Sequence, residues 1–329
     1  MTIEHSNRKD GVEIIETHDL RHTFRSRRGT VEAVAGVDLA VQTGEIFGFL
    51  GPNGAGKTTT LRMLATLLPM SAGSACVAGF DLRREPARVR ERIGYVAQSG
   101  GTDPGMTGRG ELVIQGRLFG MSRAQAEQRA TEMLKSFELE DAGGRTTKTY
   151  SGGMRRRLDI AIGMIHRPPL LFLDEPTTGL DPQARAHLWV EIRKLRDSGT
   201  TVFLTTHYLE EADALCDRVA IIDHGRIVAE GTPDELKRQF SGDVITLGIR
   251  GDHDHILPLV SSQPYVREAT TDDGLIRLYV DEGEVAIPLL LRLLDGTGIA
   301  TNTISLSRPS LDDVFLRQTG RSLREEEVA

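Results

Sequence analysis

The run Gly51-Pro52-Asn53-Gly54-Ala55-Gly56-Lys57-Thr58, followed by Thr59, has the residue types and spacing of a phosphate-binding loop. Its glycines let successive backbone N–H groups converge on phosphate oxygens. Lys57 would place an ammonium on the β- and γ-phosphates, and Thr58 would offer a hydroxyl to Mg²⁺. The flanks agree with this chemistry. Glu45–Leu50 reads as a strand entering the loop, and Lys57–Leu68 reads as a helix leaving it, with Leu61, Leu64 and Leu68 on one face. The start of that helix adds its own partial positive charge.

A second constellation lies downstream. Leu170–Leu173 is an apolar strand that ends on two carboxylates, Asp174 and Glu175. In α/β sheets ligands bind at the C-terminal ends of strands. Asp174 is therefore the candidate Mg²⁺ ligand, and Glu175 the candidate base for an attacking water. A third stretch, Tyr150-Ser151-Gly152-Gly153-Met154, opens a helix with Ser151 at the N-cap and two glycines exposing backbone N–H groups. That is a second anion site at a helix N-terminus. By itself it also reads simply as a well-capped helix.

The elements that must hold these groups follow from periodicity. Residues 12–240 alternate short apolar runs with helix-period segments, which predicts an α/β domain with a mostly parallel sheet. Leu170–Asp174, Thr201–Thr205 and Val219–Asp223 are continuous apolar runs, as strands buried on both faces are. Arg185–Asp197 predicts a helix, with Asp181 and Pro182 supplying its N-cap and first-turn proline. Residues 105–142 predict a helical insertion in which Ser122 and Gln125 form a capping box. After Gly242 the pattern changes. Alternation at Ile245, Leu247 and Ile249 and at Ile276, Leu278 and Val280 predicts two strands. A leucine-rich helix, a strand near Ile304–Leu306 and a closing helix from Leu311, capped by Ser310 and Asp313, complete a small C-terminal α+β domain at 243–320. Residues 1–11 read as a disordered N-terminus and 321–329 as a charged tail.

Composition narrows the class. Of 329 residues, 39% are hydrophobic and 26% charged, as expected of a chain with a real core. The net charge of −7 argues against non-specific nucleic-acid binding, which needs a lysine and arginine surplus. No apolar stretch reaches the ~18 residues of a membrane span. The opening residues contain no signal-peptide core. Cys76 and Cys216 fit no metal spacing and read as reduced, mostly buried thiols of a cytosolic protein. Arg155–Arg157 read as a solvated basic face, and His253 and His255 as surface histidines in a polar loop.

Taken in order, GPNGAGKT, Gln98 in YVAQ, YSGGM, LLFLDEP, GLDP and LTTH resemble the nucleotide-binding domain of ABC (ATP-binding-cassette) transporters, over about residues 12–240. The resemblance implies a P-loop NTPase fold. It also implies two copies joined head-to-tail around two ATP molecules, so that Gly51–Thr58 of one subunit faces the signature segment Tyr150–Met154 of the other. On the same basis Gln98 would contact Mg²⁺ and the γ-phosphate, and His207 would hold the γ-phosphate and the attacking water. Asp181 would lie on a loop crossing the dimer interface, and Phe24 would stack on adenine. Met154 departs from the glutamine usual at that position. A thioether cannot donate an amide's hydrogen bonds, which puts contacts to the opposite ribose in doubt.

YSGGMRRRLD, TTGLDP and the later PSLDDVFL at 309–316 resemble one subgroup, the ATP-binding subunits of daunorubicin/doxorubicin-resistance-type exporters. That implies a peripheral ATPase on the cytoplasmic side of the cell membrane. It would energise a separately encoded transmembrane permease that exports a drug or hydrophobic small molecule. Alternatives are a soluble ABC ATPase acting on ribosomes or DNA, or a transporter of a lipid, peptide or ion. The C-terminal domain could stabilise the dimer, regulate it or touch the permease.

Overall fold

The computed structural model describes residues 12–26, 29–238, 242–249, 253–272, 275–297 and 301–320. The terminal stretches 1–11 and 321–329 lie outside the described residues. Packing divides the chain into two units, residues 1–227 and 228–329, a division that falls ahead of the change in pattern at Gly242.

In chain order the first unit runs β1 (Glu13–Ser26), β2 (Gly29–Gln42), β3 (Ile46–Leu50), α1 (Lys57–Leu64), β4 (Ala72–Val77), β5 (Phe80–Asp81), α2 (Pro86–Arg92) and β6 (Ile93–Val96). The helical insertion follows as α3 (Gly108–Leu118) and α4 (Arg123–Ser136). Then come α5 (Gly152–Gly163), β7 (Leu170–Asp174), α6 (Pro182–Asp197), β8 (Thr201–Thr206), α7 (Leu209–Leu215), β9 (Arg218–Asp223) and β10 (Arg226–Gly231), the last of which runs across the division at residue 227.

β3, β7 and β8 are buried at every position, which is why their sequences are unbroken apolar runs rather than alternating ones. They sit inside a six-stranded sheet of order β10-β9-β3-β8-β7-β6. The pairs β3–β8, β3–β9, β7–β8 and β6–β7 are parallel. Phe203 on β8 is the hub of the packing, with its ring 5.6 Å from Phe47, 5.7 Å from Phe49 and 5.7 Å from Phe172. Removing such a ring typically costs about 3–5 kcal/mol. The parallel sheet is not the whole story. β1 and β2 form a long antiparallel hairpin that joins β4 and β5 in a separate sheet, β2-β1-β4-β5.

Capping is as expected at three helices. Ser122 and Gln125 form a reciprocal box on α4, Ser151 caps α5 through the Met154 N–H, and Asp181 caps α6 through the Ala184 N–H with Pro182 behind it. The α1 expectation ran too long. The helix stops at Leu64 because Thr66 turns left-handed (φ 62°) and Leu67 and Leu68 fold their N–H groups back onto the Arg62 carbonyl.

The second unit continues from β10 through α8 (Pro233–Arg238), β11 (Asp243–Ile249), α9 (His253–Ser261), β12 (Val266–Asp272), β13 (Leu275–Val280), α10 (Gly283–Thr297), β14 (Thr301–Ser307) and α11 (Leu311–Thr319). From β11 to β14 the order β-α-β-β-α-β and the antiparallel sheet β12-β13-β11-β14 make a split βαβ arrangement. Two of its elements were not expected. β12 is an edge strand, VREATTD, with no apolar alternation, and α9 begins at His253, where a polar loop was read, and carries Pro258. Edge position and an internal proline both erase the periodicities on which such readings depend. α11 has its capping box from Ser310 and Asp313.

Candidate functional site

The phosphate-binding loop leaves β3 at Gly51 because no side chain fits there: a Cβ would lie 2.2 Å from the Ile222 carbonyl oxygen of β9. Gly56 is constrained twice, by a left-handed φ of 106° and by the Ala33 carbonyl oxygen 2.4 Å from any added Cβ. The loop is pinned by Ala55 N–H to the Pro52 carbonyl and by Gly225 N–H to the Ala55 carbonyl. Asn53 and Gly54 face solvent, whereas Ala55, Gly56 and Lys57 are buried and Thr58 and Thr59 are half-buried. Lys57 Nζ donates to the carbonyls of Gly51 (2.7 Å) and Pro52 (2.9 Å). Its ammonium is thereby held at the loop that it would serve.

β7 delivers Asp174 beside it. Asp174 Oδ1 accepts from the hydroxyls of Thr58 (2.9 Å) and Thr205 (2.8 Å), so α1, β7 and β8 converge on one carboxylate. The other oxygen, Oδ2, is buried without a hydrogen-bond partner. An unsatisfied buried anionic oxygen is expensive, and a divalent cation would satisfy it. The donor set of Asp174 and the Thr58 hydroxyl therefore fits Mg²⁺.

Glu175 follows in a left-handed backbone conformation (φ 44°), uncommon for a residue with a side chain. Its N–H is held by the Thr205 carbonyl and hydroxyl oxygens, at 3.1 and 3.0 Å. Its Oε2 accepts from Gln98 Nε2 (2.8 Å) and from the Thr178 hydroxyl (3.3 Å). His207 Nδ1 lies 3.2 Å from the same oxygen but makes no directed hydrogen bond, so the contact is one of proximity. Lys57 Nζ stands 3.6 Å from Oε1. Burial pushes the Glu175 carboxyl up, but His207, the Lys57 charge and Thr178 together outweigh it and hold the group below its ordinary range. A carboxyl lowered in this way is ionised at neutral pH, the state that a general base would need.

Lys57, Thr58, Gln98, Asp174, Glu175 and His207 are linked by these contacts into one cluster. The signature segment belongs to another surface. Tyr150 is buried, with its hydroxyl donating to the Ala142 carbonyl (2.7 Å), and Ser151 and Gly152 are exposed at the start of α5. Ser151, Gly153, Met154 and Asp181 line a shallow groove that includes none of residues 51–58. Phe24 is 45% exposed on β1, edge-on to His22 at 4.4 Å. It is not a core aromatic, and its cross-strand partner Val31 is two residues from Ala33, which abuts the phosphate loop.

Arg155–Arg157 do not form the solvated face expected of them. Arg156 is buried, and its guanidinium donates to the carbonyls of Ala97 (2.6 Å), Asp174 (2.9 Å) and Pro176 (2.8 Å). Arg157 donates to the Phe137 carbonyl. Only Arg155 is exposed. The available signal was positional: Arg156, Ile160 and Gly163 recur at helical spacing on one buried face of α5, opposite its face with Leu158 and Ala161.

Comparison with known proteins identifies the family. A family model described as ABC transporter matches residues 34–178, and one described as the C-terminal domain of ATP-binding protein DrrA1-3-like proteins matches 231–319. The chain is 46% identical to the daunorubicin resistance ATP-binding protein DrrA2 of Streptomyces coeruleorubidus, over 93% of this chain and 96% of that one. It is 42% identical to the doxorubicin resistance ATP-binding protein DrrA of Mycobacterium tuberculosis, over 95% of each. Among solved structures, the dimeric post-hydrolysis state of the ATP-binding cassette MJ0796 with ADP and Pi superposes with a TM-score of 0.61 at 25% identity, covering 66% of this chain and 98% of that one. An ATP-binding subunit of an ABC transporter superposes equally well, at 30% identity over 69% of this chain and 93% of that one. With two family models in tandem and relatives matched along nine-tenths of its length, this chain belongs to the ATP-hydrolysing subunits of the ABC transporter family.

Proposed function

We propose that this ATPase drives export of a drug or other hydrophobic small molecule through a separately encoded transmembrane permease, as a homodimer on the cytoplasmic face of the membrane. The observation that carries the site assignment is the cluster at the end of β7, where an ionised Glu175 is held among Gln98, Thr178, His207 and Lys57 beside a half-satisfied Asp174. Lys57 and the loop N–H groups bind the β- and γ-phosphates. Thr58, Asp174 and Gln98 hold Mg²⁺, which when bound neutralises charge on the transferring phosphoryl group. Glu175 accepts the proton of the attacking water, and His207 orients that water and the γ-phosphate. Phe24 stacks on the adenine.

The groove at Ser151–Met154 and Asp181 has the exposed N-terminus of α5 but none of the phosphate loop, so it serves the nucleotide of the opposite subunit. No described helix is long and apolar enough to cross a membrane. In this reading transport free energy passes by contact to the permease. The drug-export assignment rests on the resistance functions named for the relatives and on their similarity along both units. The test is co-expression of the chain with the membrane protein encoded beside its gene. Co-purification, ATPase stimulation by exported drug and drug resistance of the host support the proposal. Co-purification with ribosomes in place of a membrane protein contradicts it.

A further inference from the structure

We propose that Arg156 is a positioning residue for hydrolysis, which locks Gln98 and Glu175 together from the body of the signature helix. This inference rests on the proposed role of Glu175 as base. The three carbonyls that the guanidinium binds are not scattered. Ala97 immediately precedes Gln98, and Asp174 and Pro176 flank Glu175 on either side. One planar fork thus fixes the backbone on both sides of the 2.8 Å contact between Gln98 and Glu175. Glu175 needs such support, because a left-handed backbone at a residue with a Cβ persists only where its surroundings over-determine it.

The same helix grips the far side of the Gln98 loop. Asp159, three residues beyond Arg156, accepts the Gly101 N–H at 3.3 Å, and a Cβ at Gly100 would lie 2.8 Å from its other oxygen. α5 therefore holds the loop before Gln98 through Arg156 and after it through Asp159. Ser151, at the start of α5, is five residues from Arg156, about 7.5 Å along a helix. Any shift of that N-terminus against a bound phosphate moves both anchors, so a nucleotide seated on the signature of one subunit acts on the hydrolytic residues of that same subunit.

Lysine retains the charge but is a point donor and cannot span three carbonyls from two segments. The test compares full-length Arg156→Lys and Arg156→Gln with wild type and with Glu175→Gln. The expected kcat of Arg156→Lys is at least about tenfold down, since ångström-scale misplacement of a reacting group costs up to about a hundredfold. Its KM for ATP should stay within about threefold of wild type, because the phosphate loop is untouched. Nucleotide binding by Arg156→Lys/Glu175→Gln should match that of Glu175→Gln alone. Arg156→Gln should show the same split between kcat and KM; if it fails to fold, Arg156→Lys decides. A kcat for Arg156→Lys within about twofold of wild type, or loss of ATP binding in step with turnover, overturns the proposal. Should Glu175→Gln itself turn over normally, the base assignment falls. Should Glu175→Gln be inactive and Arg156→Lys normal, only the positioning role falls.

Discussion

Gln98 and Glu175, 77 residues apart, are joined by a 2.8 Å hydrogen bond in which the amide nitrogen donates to a carboxylate oxygen. The loop that follows β6 thereby meets the end of β7, and the Gln98 amide oxygen is left as an acceptor for other partners. A residue that would sense the permease is thus in direct contact with the residue that would activate water.

Glu175→Gln preserves the shape of that contact and removes the proposed base. Turnover should fall by about 10²- to 10⁴-fold, the usual worth of a positioned base. ATP affinity should be retained, because Lys57, Thr58 and Asp174 are unchanged. Single-turnover hydrolysis and equilibrium binding of a fluorescent ATP analogue check the two halves separately.

Lys57→Ala should act on the opposite step. Charge-assisted bonds from a lysine to phosphate are worth about 1.5–3 kcal/mol, so nucleotide affinity should drop about tenfold or more if Lys57 takes its proposed role. Calorimetry with ATP reads this directly, and unchanged affinity would remove Lys57 from the site.

The electrostatics of Glu175 predict a pH effect. Burial raises its pKa, and proximity to His207 and the Lys57 charge lower it further than burial lifts it. With the folded pKa depressed, the base stays ionised below the ordinary glutamate range and is lost only as pH falls through that lowered value. His207→Ala removes one lowering contact, so the acid limb of kcat/KM should move to higher pH relative to wild type. An unmoved limb in the pH–rate profile would separate His207 from the ionisation of Glu175.

Gly153→Asp would place a carboxylate at the N-terminus of α5, where the nearest neighbour of an added Cβ is the Ala184 Cβ at 3.3 Å. The Ala184 methyl must give by a few tenths of an ångström, and acidic groups suit a helix N-terminus. A phosphate arriving from the opposite subunit cannot share that position with it. ATP binding to the isolated subunit should survive while ATP-driven dimerisation is lost, as read by sedimentation with nucleotide titration.

The C-terminal unit has its own polar anchor. Asp313 is 3% exposed and accepts from Arg277 (2.9 Å), the Tyr279 hydroxyl (3.0 Å) and the Ser310 N–H and hydroxyl. Burial and the Asp313 charge push the Tyr279 phenol well above its usual range. Asp313→Ala removes this shared acceptor while leaving Arg277 its 3.2 Å contact with Asp312, and should cost about 1–3 kcal/mol. Hydrogen exchange should show protection lost in β13 and α11 but kept in β3, β7 and β8.

The phosphate loop, the paired carboxylates and the caps of α4, α5, α6 and α11 were legible because each depends on residues close in sequence. Strands β7, β8 and β9 were legible because burial on both faces leaves a continuous apolar run. Arg156 was not, because its partners lie 18, 20 and 59 residues away and are backbone carbonyls, which have no residue identity to read. Thr205 was hidden similarly, as one threonine in a strand end whose hydroxyl happens to meet Asp174. β12 and α9 carry neither alternation nor an uninterrupted helical period. The antiparallel sheet of β1, β2, β4 and β5 was not separated from the mostly parallel sheet expected, because pairing partners are not written in composition.

The proposed head-to-tail pairing is tested most directly by sedimentation velocity on Glu175→Gln, with and without saturating Mg·ATP. The account predicts a monomer that becomes a dimer when nucleotide is added and reverts when nucleotide is removed. A species that stays monomeric at saturating Mg·ATP, alone and with its permease in detergent, would contradict it and would leave Ser151–Met154 without a ligand.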